Sequence, residues 1–192
     1  MSTEATREAI LAGAVAVFAR RGVDAASIGE LAEAAGVTRP TVYAHFGAKN
    51  EIFRALAHRV RDEVLDAQAV TGTDDPAAIA RTVVTDYLDL TVRHLRVLEL
   101  LAARARTDPD CAALQVEILD RVHRRNTRFV ARLAADGLAD PVIAPEQVSE
   151  AITGIVRRFA EIVDAAPERR SELAEAAVAA YLRLGGLSRA RG

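Results

Sequence analysis

Five of the six prolines in this chain stand where a helix could begin: Pro40, Pro76, Pro109, Pro145 and Pro167. Proline suits the first turn of a helix, because the N–H it lacks would have no partner inside the helix anyway. Two of them follow an aspartate, in "DDPAAIA" and "TDPDCAAL", so that Asp75 and Asp108 can cap the helices they open. Between these marks run long stretches of Ala, Leu, Arg and Glu with none of the β-branched alternation that signals strands. The pattern constrains the chain to an all-α fold. It predicts helices near 5–21, 27–35, 38–45, 48–70, 76–106, 109–136, 145–165 and 168–185, with the polar "VTGTDDP" of 70–76 as a turn. The fifth would be about 46 Å long, too long for one small domain, so a break is expected near His94.

The 192 residues suffice to bury a proper core. Glu4, Arg7 and Glu8 ahead of the apolar run 9–19, and Arg20-Arg21 behind it, argue against a secretory leader. No stretch nears the ~20 apolar residues that would span a membrane. A soluble, cytoplasmic protein is expected. The single cysteine, Cys111, permits no intrachain disulfide and reads as an inert helix residue. With a net charge of −2, any surface for nucleic acid must be local.

The first fifty residues carry the most information. Ile10, Leu11, Ala14, Val17 and Phe18 make a helical stripe, and Gly22 can end that helix. "SIGE" is a capping box, in which Ser27 caps and Glu30 reaches back. Gly36 closes the second short helix, and Val37-Thr38 lead straight into a third. Two short helices joined by such a turn form a helix-turn-helix. In "TRPTVYAHF", Val42 and Phe46 share the inward face, Pro40, Thr41 and Ala44 point outward, and Tyr43 and His45 lie on the flanks, roughly 160° apart. A helix in a DNA major groove meets base edges with its outer face and phosphates with its flanks. Tyr43, His45 and Lys49, the only lysine in the chain, are therefore candidate phosphate donors.

The segment "IGELAEAAGVTRPTVYAHFGAKNEIF" resembles the N-terminal domain of the TetR family of bacterial transcriptional regulators. The matching positions run from Phe18 to Phe53 and include Gly22, Ser27, Leu31, Ala32, Gly36, Thr38, Tyr43, His45, Phe46 and Lys49. The resemblance implies a three-helix DNA-binding domain, residues 1–48, joined by the fourth helix to an effector-binding and dimerisation domain, residues 49–192. It assigns Tyr43, His45 and Lys49 to phosphates and Arg39, Pro40, Thr41 and Ala44 to bases, with Ser27 and Thr38 beside them at the DNA. Ala48 departs from the family, which often has Ser or Asn there, and leaves the fourth helix weakly capped. Five basic and five acidic side chains lie in residues 1–50, so non-specific DNA affinity should be modest.

Beyond residue 50 the stripes Val148, Ile152, Ile155, Phe159, Ile162 and Leu173, Ala176, Ala177, Ala180, Tyr181, Leu184 could be intrachain core. The resemblance points instead to a four-helix bundle across a two-fold axis, with Ile152, Ile155, Phe159, Ile162, Ala177, Ala180, Tyr181 and Leu184 at the dimer interface. Tyr87, His94, Arg104, His123 and Asn126 are polar groups on otherwise apolar helices and candidate lining for an effector pocket. With no Trp and few other aromatics, that pocket should be aliphatic and suit an apolar or amphipathic small molecule. The expected partners are a double-stranded DNA operator, a second copy of the chain and a small effector, without a membrane. No cofactor, metal site or catalytic residue is expected, since no HExxH, CxxC, phosphate loop or nucleophile elbow occurs. The alternatives are a small-molecule-modifying helical enzyme and a helical interaction module that does not bind DNA.

Overall fold

The structure, a computed structural model, describes residues 2–66 and 74–187. Helices α1 (Thr3–Ala25), α2 (Ile28–Ala34), α3 (Arg39–His45), α4 (Lys49–Asp66), α5 (Pro76–Arg104), α6 (Pro109–Ala135), α7 (Pro145–Ala165) and α8 (Arg170–Leu184) follow in order, with a 3-10 turn at Pro167–Arg169. There is no strand among the described residues. The end predicted for the fourth helix at residue 70, and most of the turn after it, lie outside those residues.

Local chemistry sets the helix ends. Gly22, at φ +74°, interrupts the helical geometry of α1 one turn before its end, a conformation that costs glycine nothing. The capping box of α2 is formed: Glu30 N–H donates to Ser27 Oγ at 3.2 Å, and Ser27 N–H donates to Glu30 Oε2 at 2.9 Å. Gly36, at φ +65°, ends α2, with its N–H on Glu33 O and that of Val37 returning to Ala32 O. Asp75 accepts from Ala77 N–H, and Asp108 from Asp110 and Cys111 N–H, as N-caps do. Ala48 provides no such cap for α4; Glu51 reaches back to Gly47 N–H at 2.8 Å instead.

The chain forms two compact units. One comprises residues up to Asp66 together with Arg96–Ile118. Its core gathers Ile10, Leu11 and Phe18 of α1, Leu31 of α2, Val42 of α3 and Ile52 and Phe53 of α4, none more than 1% exposed. The Phe18 and Phe53 rings meet edge to face at 6.4 Å, a geometry that adds to their burial. Helices α1 and α2 approach so closely that a Cβ on Gly13 would lie 2.9 Å from the Ala34 carbonyl carbon. Helix α4 packs on α1 and belongs to this unit, so it does more than link two domains divided at residue 48.

The other unit takes its described residues from 67–95 and 119–192. Its core holds Leu88 of α5, Val130 of α6, Val148 and Val156 of α7, and Ala177 and Tyr181 of α8. The chain leaving α8 lies along the α6–α7 loop, Val142 N–H donating to Leu184 O at 3.0 Å. Gly186, at φ +63°, has no room for a side chain there, since a Cβ would run into Asp140 O.

Two expectations are corrected. Helix α5 does not break near His94 but runs unbroken for 29 residues. Its length was the signal, but the cause differs: the helix leaves one unit at Leu95 and enters the other at Arg96, so no single domain has to contain it. The second concerns the stripes on α7 and α8. Ile152, Ala177 and Tyr181 are at most 3% exposed within their own chain, so intrachain packing already covers them. Ile155, Phe159, Ile162, Ala180 and Leu184 form the neighbouring row and are only half-buried.

Candidate nucleic-acid interface

Helix α3 is two turns long, and its orientation follows from two side chains. Val42 is fully buried and Phe46 is 5% exposed, which turns the opposite face outward. Arg39, Pro40, Tyr43 and Ala44 are exposed, while Thr41 and His45 are half-buried. Tyr43 is 57% exposed, far from the half-buried packing residue that a lone tyrosine usually is. The helix starts at Thr38, whose Oγ1 accepts from Thr41 N–H at 3.3 Å and lies 2.8 Å from Thr41 Oγ1. One of those two hydroxyls spends its proton on the other, so the pair keeps a single free donor. Arg7 of α1 lies over the Phe46 ring, 5.2 Å from its centroid, and fixes the end of α3 from below.

His45 opens onto a cleft of about 660 Å³ lined by Arg7, Arg54, His58 and Arg59 and equally by Glu51, Asp62, Glu63 and Asp66. Ser27 is committed: its hydroxyl donates to Glu30 Oε2 at 2.9 Å and accepts from Glu30 N–H. Bonds from the Ser27 backbone and hydroxyl, and from Arg21, hold the Glu30 carboxyl below its usual range. With its one proton on an anion, Ser27 serves α2 as a cap.

Lys49 has a position that sequence reasoning missed. Its ammonium donates to the backbone oxygens of Asp24 and, at 3.0 Å, Ala26, in the final turn of α1, where carbonyls lack helical partners and a cation is favoured. Two of its three protons are used, and one remains free. Arg104, considered above for an effector pocket, lies elsewhere. It pairs with the Asp24 carboxylate at 2.9 Å and covers the Phe53 ring at 5.6 Å, within the unit that carries α3. A further contact without a sequence signal of its own is that of Arg39, whose guanidinium lies over Gly29 of α2.

Four of the polar residues singled out on the later helices share the second unit, and three of them take part in two separate sets of hydrogen bonds. Tyr87 bonds to Thr153 and Thr91, and burial pushes its phenol up. Thr153 Oγ1 donates to Ser149 O at 2.8 Å, and Ser149 Oγ sits 3.1 Å from His123 Nδ1. Tyr181 OH donates to Asn126 Oδ1, and burial raises that phenol as well. His94 is buried in the same unit. Cys111 is a buried thiol, pushed up by burial and by the Asp108 carboxylate beside it. Among the described residues no three His, Cys, Asp or Glu side chains converge as metal ligands would, and no helix is long and apolar enough to cross a membrane.

A capped helix-turn-helix whose second helix offers a guanidinium, a phenol and hydroxyls outward defines a DNA-binding class of protein. Residues 10–56 match the family described as bacterial regulatory proteins, tetR family. The chain is 30% identical over 173 residues to the HTH-type transcriptional regulator TtgR of Pseudomonas putida, covering 83% of this chain and 82% of that protein. It is 48% identical over 56 residues to the HTH-type transcriptional repressor BepR of Brucella suis, 29% of this chain and 27% of that one. Among solved structures, a tetR-family regulatory protein from Rhodococcus RHA1 superposes with a TM-score of 0.76 at 21% identity, over 95% of this chain and 98% of that one. SmeT, the repressor of the Stenotrophomonas maltophilia multidrug efflux pump SmeDEF, does so with a TM-score of 0.66 at 23% identity, over 95% and 91%. The chain belongs to the TetR family. It is a transcriptional regulator and not an enzyme.

Proposed function

We propose that this protein is a cytoplasmic repressor that binds a palindromic operator as a homodimer and is released by a small apolar or amphipathic effector. The observation that carries the DNA reading is the division of α3: Val42 and Phe46 are sealed inside, while Arg39, Pro40, Tyr43 and Ala44 face solvent together. Tyr43, His45 and the third proton of Lys49 hold phosphates, and Arg39, Pro40, Thr41 and Ala44 meet base edges. Thr38 holds α3 at its cap, and Ser27 does the same for α2. Repression is supported by relatives named as repressors, BepR among them.

Ile155, Phe159 and Ile162 on α7, with Ala180 and Leu184 on α8, give a second copy an apolar row to cover. A two-fold dimer would set two α3 helices one DNA turn apart, about 34–36 Å. The effector site is the interior of the second unit around Tyr87, His94, His123 and Asn126. Because every buried side-chain polar atom among the described residues has a partner, a ligand entering there must replace hydrogen bonds it breaks. This favours an amphipathic compound over a purely apolar one. Selection of bound sequences from random duplex DNA tests the operator reading: a palindromic consensus is expected, and recovery of unenriched sequence would refute it. An effector that raises the thermal stability of the free protein must lower operator affinity, and the operator must weaken the effector by the same factor.

A further inference from the structure

Gly29 is the second residue of α2. Its φ is not positive, so the backbone does not require glycine, and glycine weakens a helix relative to alanine. What occupies the missing side chain's place is one group. A Cβ on Gly29 would lie 2.7 Å from Nη2, 3.0 Å from Nε and 3.1 Å from Cζ of Arg39. The Nε–Nη2 edge of the guanidinium lies against the bare face of α2. Among the described residues, Arg39 has no carboxylate partner, whereas Arg21, Arg54, Arg59 and Arg104 of the same unit are paired with Glu30, Asp110, Glu8 and Asp24. Arg39 is therefore placed by shape rather than by charge, and no carboxylate among the described residues competes for its donors.

We propose that Gly29 is a positioning residue for sequence recognition: the side chain it lacks is the berth that fixes Arg39, so that the guanidinium presents its fork of donors to one base pair of each half-site. Guanine, with O6 and N7 side by side, is the base that fork fits. The inference rests on the operator-binding reading above and deepens it. Any side chain at position 29 evicts the guanidinium. Since the atoms in the way are the far end of a flexible side chain, Gly29→Ala is accommodated by movement of Arg39 and leaves the fold intact.

The test is a comparison of sequences selected from random duplex DNA by the wild-type protein, Gly29→Ala, Arg39→Ala and the double variant. In the wild type, a guanine preference is expected at one position per half-site. Gly29→Ala should reduce that preference about tenfold, which is 1.4 kcal/mol, with the other positions retained and thermal stability equal or higher. Arg39→Ala should lose it at the same position. The double variant should lose no more than Arg39→Ala alone, as expected for residues acting through one contact. A clear wild-type site with an unchanged profile for Gly29→Ala overturns this inference alone. Uniform weakening on all sequences with a shallower salt dependence also overturns it, by making Arg39 a phosphate contact. A wild type that selects no sequence overturns the operator reading as well.

Discussion

Replacing Lys49 by alanine separates the role that the structure gives its ammonium from the phosphate role proposed for it. Inside the protein it bridges the carbonyls of Asp24 and Ala26. Hydrogen bonds to a charged group are worth about 1.5–3 kcal/mol when well made; with Lys49 half-exposed, a total loss of roughly 1–2 kcal/mol is expected, the rest being returned by water. In the proposed complex its charge would neutralise one phosphate. Each lost phosphate contact flattens the plot of log affinity against log salt by about 0.9, so a dimer should lose about 1.8. Between 50 and 200 mM salt that amounts to about a twelvefold change in the ratio of variant to wild-type affinity. Urea denaturation and fluorescence anisotropy with a duplex, at several salt concentrations, read the two effects separately. Base preference should not change. If stability falls while the salt slope stays at the wild-type value, Lys49 only ties α1 to α4 and its phosphate role is wrong. If the slope flattens at unchanged stability, the carbonyl contacts contribute nothing.

Ile155→Arg or Ala180→Glu should yield folded monomers in sedimentation experiments with palindrome binding lost, while Ile152→Arg should unfold the chain, because only the first two positions keep exposed surface; dimers of unchanged affinity would move the interface elsewhere. Gly13→Ala should destabilise by about 1–3 kcal/mol in urea titrations in spite of alanine's better helix propensity, since the added carbon meets the α2 backbone; a neutral result would mean that α1 and α2 separate at little cost. Asp108 has its pKa held below the ordinary 3.8, first by the N–H of Cys111. Its contribution is therefore complete above the ordinary value and lost as pH falls through the lowered one. Wild type and Asp108→Asn should differ most in denaturation midpoint near neutral pH and converge in acid, and a difference independent of pH would refute the assignment.

What could be read from the sequence was what residues within a few positions of one another decide. The Ser27–Glu30 box, the Asp75 and Asp108 caps, Gly36 at the end of α2 and the inward pair Val42–Phe46 all depend on neighbours along the helix. The contacts that escaped join distant segments. Lys49 meets the end of α1, Arg104 meets Asp24, and Arg39 meets Gly29, and no local pattern marks which partner a long side chain will find. The stripes on α7 and α8 show the limit of periodicity. A step of one residue turns a helix by 100°, while the rows 152/156/160 and 155/159/162 lie closer together than that. Sequence spacing identifies the apolar side of α7 but not which of its rows the chain itself covers.

The unbroken α5 bears on how such proteins can be cut and recombined. Because α5 and α6 each contribute to both units, the unit that carries α3 is not a continuous stretch of chain. Its α4 is braced by residues from the α5–α6 hairpin: Arg104 on Phe53, Asp110 on Arg54. A fragment ending at Asp66 would lose that brace and expose part of its own core. A chimera that joins this recognition helix to another member's effector region at residue 66 would supply a foreign hairpin in the same place. In this chain the unit that carries α3 keeps its packing only if the α5–α6 hairpin travels with it, so its boundary is one of surfaces rather than of sequence segments.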